Sequence, residues 1–223
     1  MKKLSILLFV FCLLGFSPAT HAQLDKFGFS ASYVNAWQQW GNTRFYRMEP
    51  VHGFSAFIIG EKYICKNASF RVNLGYQKQG YFPLIGSHMD APRNFREGYV
   101  AHQIALDLSI KGYLGRRNNR LYLFGGMRAG QTVSSKITDG YTDVPHQLQS
   151  DNFKKTTFDA LGGIGFEWKR GLFLEAEYAM GITPVFTYEE TKGYNRSFSA
   201  RVGYYFLRPS TCRSKHLGLM DMF

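Results

Sequence analysis

The amino-acid sequence predicts an all-β protein, an eight-stranded antiparallel up-and-down transmembrane β-barrel. Three observations support this prediction. Eight segments alternate apolar and polar residues with a period of two, which is typical of strands with two different faces. Short and long connections alternate between the segments, as in barrels that cross an outer membrane. The polar face carries acids and bases interleaved with Gly and Ser, which suits the narrow lumen of a small barrel.

The first four predicted strands differ in how cleanly their two faces separate. The first, third and fourth alternate clearly between apolar and polar residues. The second is ambiguous, because Phe54 and Ile58 lie on one face while Phe57 and Ile59 lie on the other. The four segments are FGFSASYVNA at 27–36, the stretch from about 51 to 63, SFRVNLGYQKQG at 69–80, and 99–114. Most have lengths near the ~9–11 residues that cross a bilayer when tilted.

The last four predicted strands show the same period. In the fifth, Tyr122 and Phe124 fall on the polar face, against the pattern of their neighbours. In the seventh, Glu175 and Glu177 oppose a fully apolar face. The segments are RLYLFGGMRAG at 120–130, FDALGGIGFEWK at 158–169, GLFLEAEYAMGI at 171–182 and SFSARVGYYF at 197–206. The connections after strands two, four and six are short, and we expect long polar loops after strands one, three, five and seven.

We predict that the charged residues of the polar face point into the lumen and pair there, because an unpaired buried charge is very costly. The members of this lumen charge network are Arg71, Asp107, Lys111, Arg128, Asp159, Glu167, Glu175, Glu177 and Arg201. A simple antiparallel register brings Arg201 near Glu175 and Glu177, and Arg128 near Asp159. The alternative is a secreted barrel of the lipocalin kind, in which the polar face is solvated.

The N-terminal residues predict export, and the C-terminal residues predict a short tail. Residues 1–22 combine two lysines, an apolar run from Leu4 to Phe16 and a Thr-His-Ala ending, which is the layout of a cleaved signal peptide. We expect the barrel domain to occupy residues 23–208 and a short periplasmic tail to occupy 209–223, after the last strand ends near Pro209. The expected location is the cell outer membrane.

The charge of the chain is unevenly distributed. Loss of Lys2 and Lys3 with the signal peptide lowers the formal net charge from +11 to +9, and the outer loops are almost neutral. The excess therefore lies at the periplasmic end, in a periplasmic basic rim formed by Arg116, Arg117, Arg120, Lys169 and Arg170. This rim suits anionic lipid headgroups or an acidic periplasmic or secretion-system protein. Nucleic acid is not expected as a partner, because the chain is exported.

Cysteine and histidine usage predicts little chemistry. Cys65 and Cys212 lie on the periplasmic side and could form a disulfide in that oxidising space. The histidines are isolated, so we expect no metal and no cofactor. Two loop pairs, His88 with Ser87 and His146 with Ser150, have no orienting carboxylate at a convincing spacing, so we expect no catalytic residues.

Several strands also resemble a known family. SFRVNLGYQKQG, LYLFGGMRAG, the Glu-Ala-Glu-Tyr strand with Gly181 after it, and the closing RVGYYF resemble the PorT-like outer-membrane β-barrel family of Bacteroidetes-type bacteria. The resemblance covers most of residues 27–206. It implies an outer-membrane barrel, and its founding member is tied to protein secretion and gliding.

Two function classes remain from the sequence. The first is a small non-enzymatic barrel that acts by binding, or as an accessory of an envelope or secretion assembly. The second is a narrow gated channel, which is weaker because an eight-stranded lumen filled with Arg and Glu side chains conducts poorly. A lipid-modifying outer-membrane enzyme is a third alternative, disfavoured because strands seven and eight contain no histidine.

Overall fold

The chain folds into eight long strands. A computed structural model describes residues 24–40, 46–85, 98–114, 119–138, 153–188 and 191–207. The strands are β1 (Lys26–Trp40), β2 (Tyr46–Cys65), β3 (Ala68–Ile85), β4 (Gly98–Leu114), β5 (Arg120–Thr138), β6 (Thr156–Glu167), β7 (Leu172–Tyr188) and β8 (Thr191–Leu207). All eight fall within the predicted barrel domain, whereas the predicted signal peptide and tail lie outside the described residues.

Hydrogen bonding closes the strands into a barrel. Each strand pairs antiparallel with the next along the chain, and β1 pairs with β8 to complete the ring. The prediction of an eight-stranded antiparallel up-and-down barrel is therefore confirmed. The described part of the chain has no helix long and apolar enough to cross a membrane.

The strands are longer than the sequence pattern indicated. They range from 12 residues in β6 to 20 in β2, beyond the ~9–11 that a tilted strand needs to cross a bilayer. The expectation of long loops after the first and seventh strands is wrong, because pairing continues until only residues 41–45 and 189–190 remain between strands. Long connections follow only β3 and β5.

The two faces of the barrel are inverted relative to a water-soluble protein. Large apolar side chains point outward and are exposed, for example Phe29 at 57%, Ile58 at 57% and Ile110 at 56%. Charged side chains such as Arg71 and Lys111 point inward and are fully buried. A secreted barrel in water would expose its charges, so this arrangement excludes the lipocalin-type alternative and requires lipid around the barrel.

Aromatic residues on the inward face fill the space between the charged groups. In β2 the inward face carries Phe57 and Ile59, which pack with Phe173 and Tyr205, so the ambiguous strand has an apolar residue on each side. In β5, Tyr122 and Phe124 belong to a second inward cluster with Tyr113, Leu161 and Ala179. The residues that broke the alternating pattern are thus the ones that pack the lumen.

Two glycines make room for these rings. A Cβ at Gly165 would lie 2.3 Å from Cζ of Tyr122, and a Cβ at Gly203 would lie 2.1 Å from Cζ of Phe173. Each glycine lies on a strand close to the ring that covers it, an arrangement known to pin the register of sheets. These positions require glycine because of close approach, and neither has a positive φ.

Replacing Gly165 by Val is expected to displace the Tyr122 ring and to lower the free energy of unfolding by about 1–3 kcal/mol, since overpacking forces side chains off their rotamers. The measurement is urea unfolding of the refolded protein in phospholipid vesicles. Gly125→Val is the matched control, because a Cβ there meets nothing closer than a backbone oxygen at 3.8 Å. Equal losses for both variants would contradict this account.

Candidate functional site

A cluster of charged residues, here called the periplasmic cluster, lies in the half of the lumen nearer the periplasm. Its members are Lys26, Glu61, Lys111 and Glu167. Lys26 Nζ donates to Glu61 at 3.0 Å and to Glu167 at 2.8 Å, and Lys111 Nζ donates to Glu61 at 3.0 Å. Tyr205 Oη also donates to Glu61, at 2.7 Å. Two bases balance two acids, so the cluster is neutral.

Sequence reasoning missed half of the periplasmic cluster. Lys26 precedes the first predicted strand, and Glu61 lies near the end of the second, whose two faces the sequence leaves ambiguous. The signal was present, because Glu61 shares its parity with the inward residues Phe57 and Ile59. Lys26 likewise shares the parity of Ser30. Extending the period of two beyond the apolar run would have found both residues.

A second cluster, here called the central cluster, lies nearer the extracellular end of the lumen than the periplasmic cluster does. Its members are Arg71, Arg128, Arg201, Asp107, Glu175 and Glu177. Arg128 donates to the two Asp107 oxygens at 2.6 and 2.9 Å and to Glu177 at 2.8 Å. Arg201 lies 3.5 Å from Glu175 and 3.0 Å from Glu177. Three guanidinium groups balance three carboxylates, so this cluster is also neutral.

Aromatic side chains connect the two clusters. Arg71 pairs with Glu175 and lies over the Phe124 ring, 4.7 Å from its centroid. Tyr122 Oη donates to Glu175 at 2.6 Å, and the face of the same ring receives Lys111 Nζ at 3.9 Å from the centroid. Such contacts stabilise buried charges such as those of Arg71 and Lys111, since cation–π attraction strengthens when the cation is desolvated. The lumen is therefore packed from β3 across to β7.

The structure places all nine residues of the predicted lumen network inside the barrel, each at 0–4% exposure. Arg201 lies beside Glu175 and Glu177, as the simple register indicated. Arg128 also lies directly opposite Asp159, as the simple register indicated. The guanidinium of Arg128, however, donates its hydrogen bonds to Asp107 on the other neighbouring strand and to Glu177 on β7.

Asp159 is consequently the additional acid among the described lumen residues. It is 1% exposed, and neither of its oxygens accepts a hydrogen bond of standard geometry. The Gln79 side chain lies close enough to interact with this carboxylate, but its Oε1 is engaged by Asn195 Nδ2 at 2.6 Å. A buried carboxylate with so little compensation lowers stability.

An aromatic pair stacks near the extracellular end of the lumen. Phe153, just before β6, stacks on Tyr99 of β4 with ring centroids 3.8 Å apart and planes at 6°. Backbone hydrogen bonds hold this segment in place, from Lys154 N to Val185 O at 2.8 Å and from Thr132 N to Lys155 O at 2.7 Å. The end of the long β5–β6 connection therefore packs back into the barrel.

The members of the predicted basic rim have different surroundings. Arg120 is half-buried and donates to Tyr63 Oη at 2.6 Å. Its guanidinium lies 4.2 Å from the Tyr113 ring centroid, so Arg120 packs at the periplasmic end of the lumen. Lys169 and Arg170 are exposed on the β6–β7 turn. Beside them is a surface cavity of about 530 Å³, lined by Asn119, Trp168, Lys169, Arg170, Leu172 and Tyr204.

Other predicted residues fall partly outside the described chain. Arg116, Arg117 and Cys212 are outside it, as are the loop pairs at residues 87–88 and 146–150. Cys65 is exposed at the end of β2, and its disulfide with Cys212 stays a prediction. Among the residues that the structure describes, no three His, Cys, Asp or Glu side chains converge in a way that could hold a metal ion.

The closed barrel, its apolar outer surface and its charged lumen define the class of protein: this is an outer-membrane β-barrel. The sequence agrees at the level of family. Residues 25–187 match the family described as outer membrane protein beta-barrel domain, and the chain belongs to this family. The outer membrane is therefore its location. A search of curated proteins found no match.

Solved outer-membrane barrels have a similar fold at very low sequence identity. OprG from Pseudomonas aeruginosa is 8% identical with a TM-score of 0.48, covering 82% of this chain and 97% of that one. Ail, the attachment invasion locus protein of Yersinia pestis, is 9% identical with a TM-score of 0.45, covering 82% and 100%. The outer membrane enzyme PagL is 10% identical with a TM-score of 0.40, covering 78% and 98%. At these identities the likeness concerns the fold alone.

Asp107 and Asp159 lie opposite Arg128 on its two neighbouring strands. Removing the charge of one should change the stability of the barrel differently from removing the charge of the other. Asp107→Asn removes the partner of a buried guanidinium and is expected to lower the free energy of unfolding by about 3 kcal/mol. Asp159→Asn removes a poorly compensated carboxylate and is expected to leave stability unchanged or to raise it by about 1 kcal/mol. Urea unfolding in vesicles measures both, and a larger loss for Asp159→Asn would show that the assignment of partners is wrong.

Proposed function

We propose that this protein is a small non-enzymatic outer-membrane barrel that acts by binding, as an accessory of an envelope or secretion assembly. One observation supports this most strongly: two neutral ion-pair clusters cross the lumen and leave the ends of the barrel as its accessible polar surfaces. A barrel closed inside can act only through its rims, its loops and its lipid-facing surface. The PorT-like resemblance of the strands supports a secretion or envelope assembly as the class of partner.

The periplasmic end carries the feature most suited to a protein partner. Lys169 and Arg170 extend from the β6–β7 turn beside the aromatic surface of Trp168. The turn is firmly held, since Gly171 N donates to Trp168 O at 3.0 Å and Lys169 N donates to Asn119 Oδ1 at 3.3 Å. Cations on a well-held turn, next to a partly exposed aromatic ring, form a surface that attracts an acidic partner and orients it.

The gated channel is the second candidate, and the lumen argues against it. An ion path would have to separate Arg128 from Asp107 and Glu177, all buried, and leave each charge without its partner. Breaking a buried pair of this kind typically costs about 3–5 kcal/mol. Opening would also have to displace the stacked Tyr99 and Phe153 rings.

Enzymatic activity is the third candidate, and it lacks a site in the described strands. The histidines there, His52 and His102, both point outward and are each hydrogen-bonded to a tyrosine hydroxyl. No serine is hydrogen-bonded to either imidazole in the described residues, so the nucleophile and base of a hydrolase are not brought together there.

Arg201→Ala separates a structural network from a gate. We expect conductance of the variant in planar bilayers to stay at the background level of the unaltered protein, because Arg71 and Arg128 still occupy the lumen. We expect the free energy of unfolding to fall by about 3 kcal/mol, because Glu175 and Glu177 each lose a partner. Discrete channel openings in the variant would support the gated channel instead.

Charge reversal at the β6–β7 turn tests binding at the periplasmic end. The tagged protein is crosslinked in outer membranes, purified and analysed by mass spectrometry, and compared with Lys169→Glu/Arg170→Glu. Recovery of a defined periplasmic or secretion component is expected, and its yield should fall about tenfold in the variant. Arg120 is left unchanged because it packs inside the lumen.

Lys136→Glu, which alters an exposed residue near the opposite end of the barrel, is the matched control and should recover the same component. If Lys169→Glu/Arg170→Glu recovers the component in an unchanged yield, binding through this surface is contradicted. The long connections after β3 and β5 would then be the next surfaces to test.

A further inference from the structure

Three nitrogen-bearing side chains interrupt the apolar outer face of β2, β3 and β4. They are His52, Lys78 and His102, and their strand neighbours Gln77 and Gln103 point into the lumen. Lys78 lies directly opposite His102 in the β3–β4 register. Its ammonium reaches the other way and donates to the backbone oxygen of His52 at 3.3 Å. Three residues far apart in sequence therefore form one patch, here called the outer cationic patch.

Tyrosine hydroxyls fix the orientation of both imidazoles. Tyr33 Oη lies 2.6 Å from Nδ1 of His52, and the two rings stack with planes at 17°. Tyr76 Oη is hydrogen-bonded to Nδ1 of His102, and those rings stack at 29°. With Nδ1 occupied in each ring, Nε2 is the nitrogen that remains to bind a ligand. When the tyrosine donates to Nδ1, Nε2 carries the proton and is itself a donor.

The patch lies at the depth of lipid headgroups. Tyr33, Phe54 and Tyr76 are the outward residues around it, and they form a band of aromatic side chains. Such bands mark the membrane–water interface of outer-membrane barrels. From the patch toward the middle of the strands, the outward residues are apolar, for example Ile58 and Leu74. The turns at the opposite end, such as that between β2 and β3, are short, and short turns of outer-membrane barrels are periplasmic, so this interface faces the outer leaflet.

The chemistry of the patch is that of an anion site. An ammonium and two imidazoles lie on the outward face of three adjacent strands, and the other described outward residues adjoining them on β1 to β4 include no carboxylate: Tyr33, Asn35, Phe54, Tyr76, Val100 and Ile104. A cation on a lipid-facing surface costs free energy that rises with depth. An anionic lipid group at the same depth offsets that cost, and a phosphate accepts several hydrogen bonds at once.

We propose that His52, Lys78 and His102 bind the phosphorylated headgroup of an outer-leaflet lipid. The lysine supplies the fixed charge, the two histidines supply oriented donors, and Tyr33 and Tyr76 are positioning residues. The exposed side chain of Ile104, next to His102 on β4, offers an apolar contact for the acyl chains of the same lipid. This site does not depend on the proposed function, because it lies on the wall of the barrel and not at its ends.

The test uses the full protein in detergent micelles, titrated with bisphosphorylated lipid A and followed by native mass spectrometry. The variant His52→Gln/Lys78→Gln/His102→Gln is expected to bind the lipid at least about tenfold more weakly, as expected for the loss of charge-assisted hydrogen bonds. Lipid A from which both phosphates have been removed is expected to bind the unaltered protein as weakly as bisphosphorylated lipid A binds the variant.

Two further variants keep the test decisive. Lys62→Gln/Lys66→Gln removes exposed cations near the β2–β3 turn and is expected to retain full binding. Lys78→Gln alone keeps both Tyr–His pairs, so it reports on the site even if the triple variant fails to fold, and it should weaken binding several-fold. Unchanged binding by Lys78→Gln, equal loss in the Lys62/Lys66 control, or equal affinity for dephosphorylated lipid A would each overturn the proposal.

Discussion

Charge neutrality inside a closed, narrow lumen is the constraint on which this structure depends. An eight-stranded barrel has an interior just wide enough for side chains, so a charge that points inward must find an opposite charge and not bulk water. The chain meets this requirement twice, in a neutral cluster around Glu61 and a second around Arg128. Every strand contributes either to these pairs or to the aromatic and small residues between them, so lumen packing and strand register are mutually dependent.

The same constraint explains how much of the fold the sequence predicts. A period of two, repeated eight times with charges on one parity, defines the strands and their two faces, because a shift by one residue would place arginine in lipid. The sequence pattern underestimates strand length because the polar residues near the extracellular ends resemble loop residues. Arg196, for example, lies within β8, where its Nε donates to Gln39 Oε1 at 3.0 Å. A change from apolar to polar residues marks where a strand leaves the bilayer, whereas the backbone pairing of that strand continues beyond this point.

The site is less predictable than the fold, because partners depend on geometry across the lumen. Arg128 has one acid beside it on each neighbouring strand, and only the closed barrel shows that its guanidinium binds Asp107 and a third acid, Glu177. Parity identifies the inward residues but not which of them meet. The outer patch around Lys78 was hidden for a related reason, since its two histidines belong to separate strands and appear isolated in the sequence.

The most direct test of this account is a double-mutant cycle on Lys26 of β1 and Glu167 of β6, which are 141 residues apart in the sequence and meet at 2.8 Å in the lumen. Lys26→Met, Glu167→Gln and the double variant are unfolded with urea in vesicles. The account predicts a coupling free energy of about 1.5 kcal/mol or more, because each single variant removes one partner of a buried charge. Additive losses, with no measurable coupling, would contradict a lumen held together by paired charges.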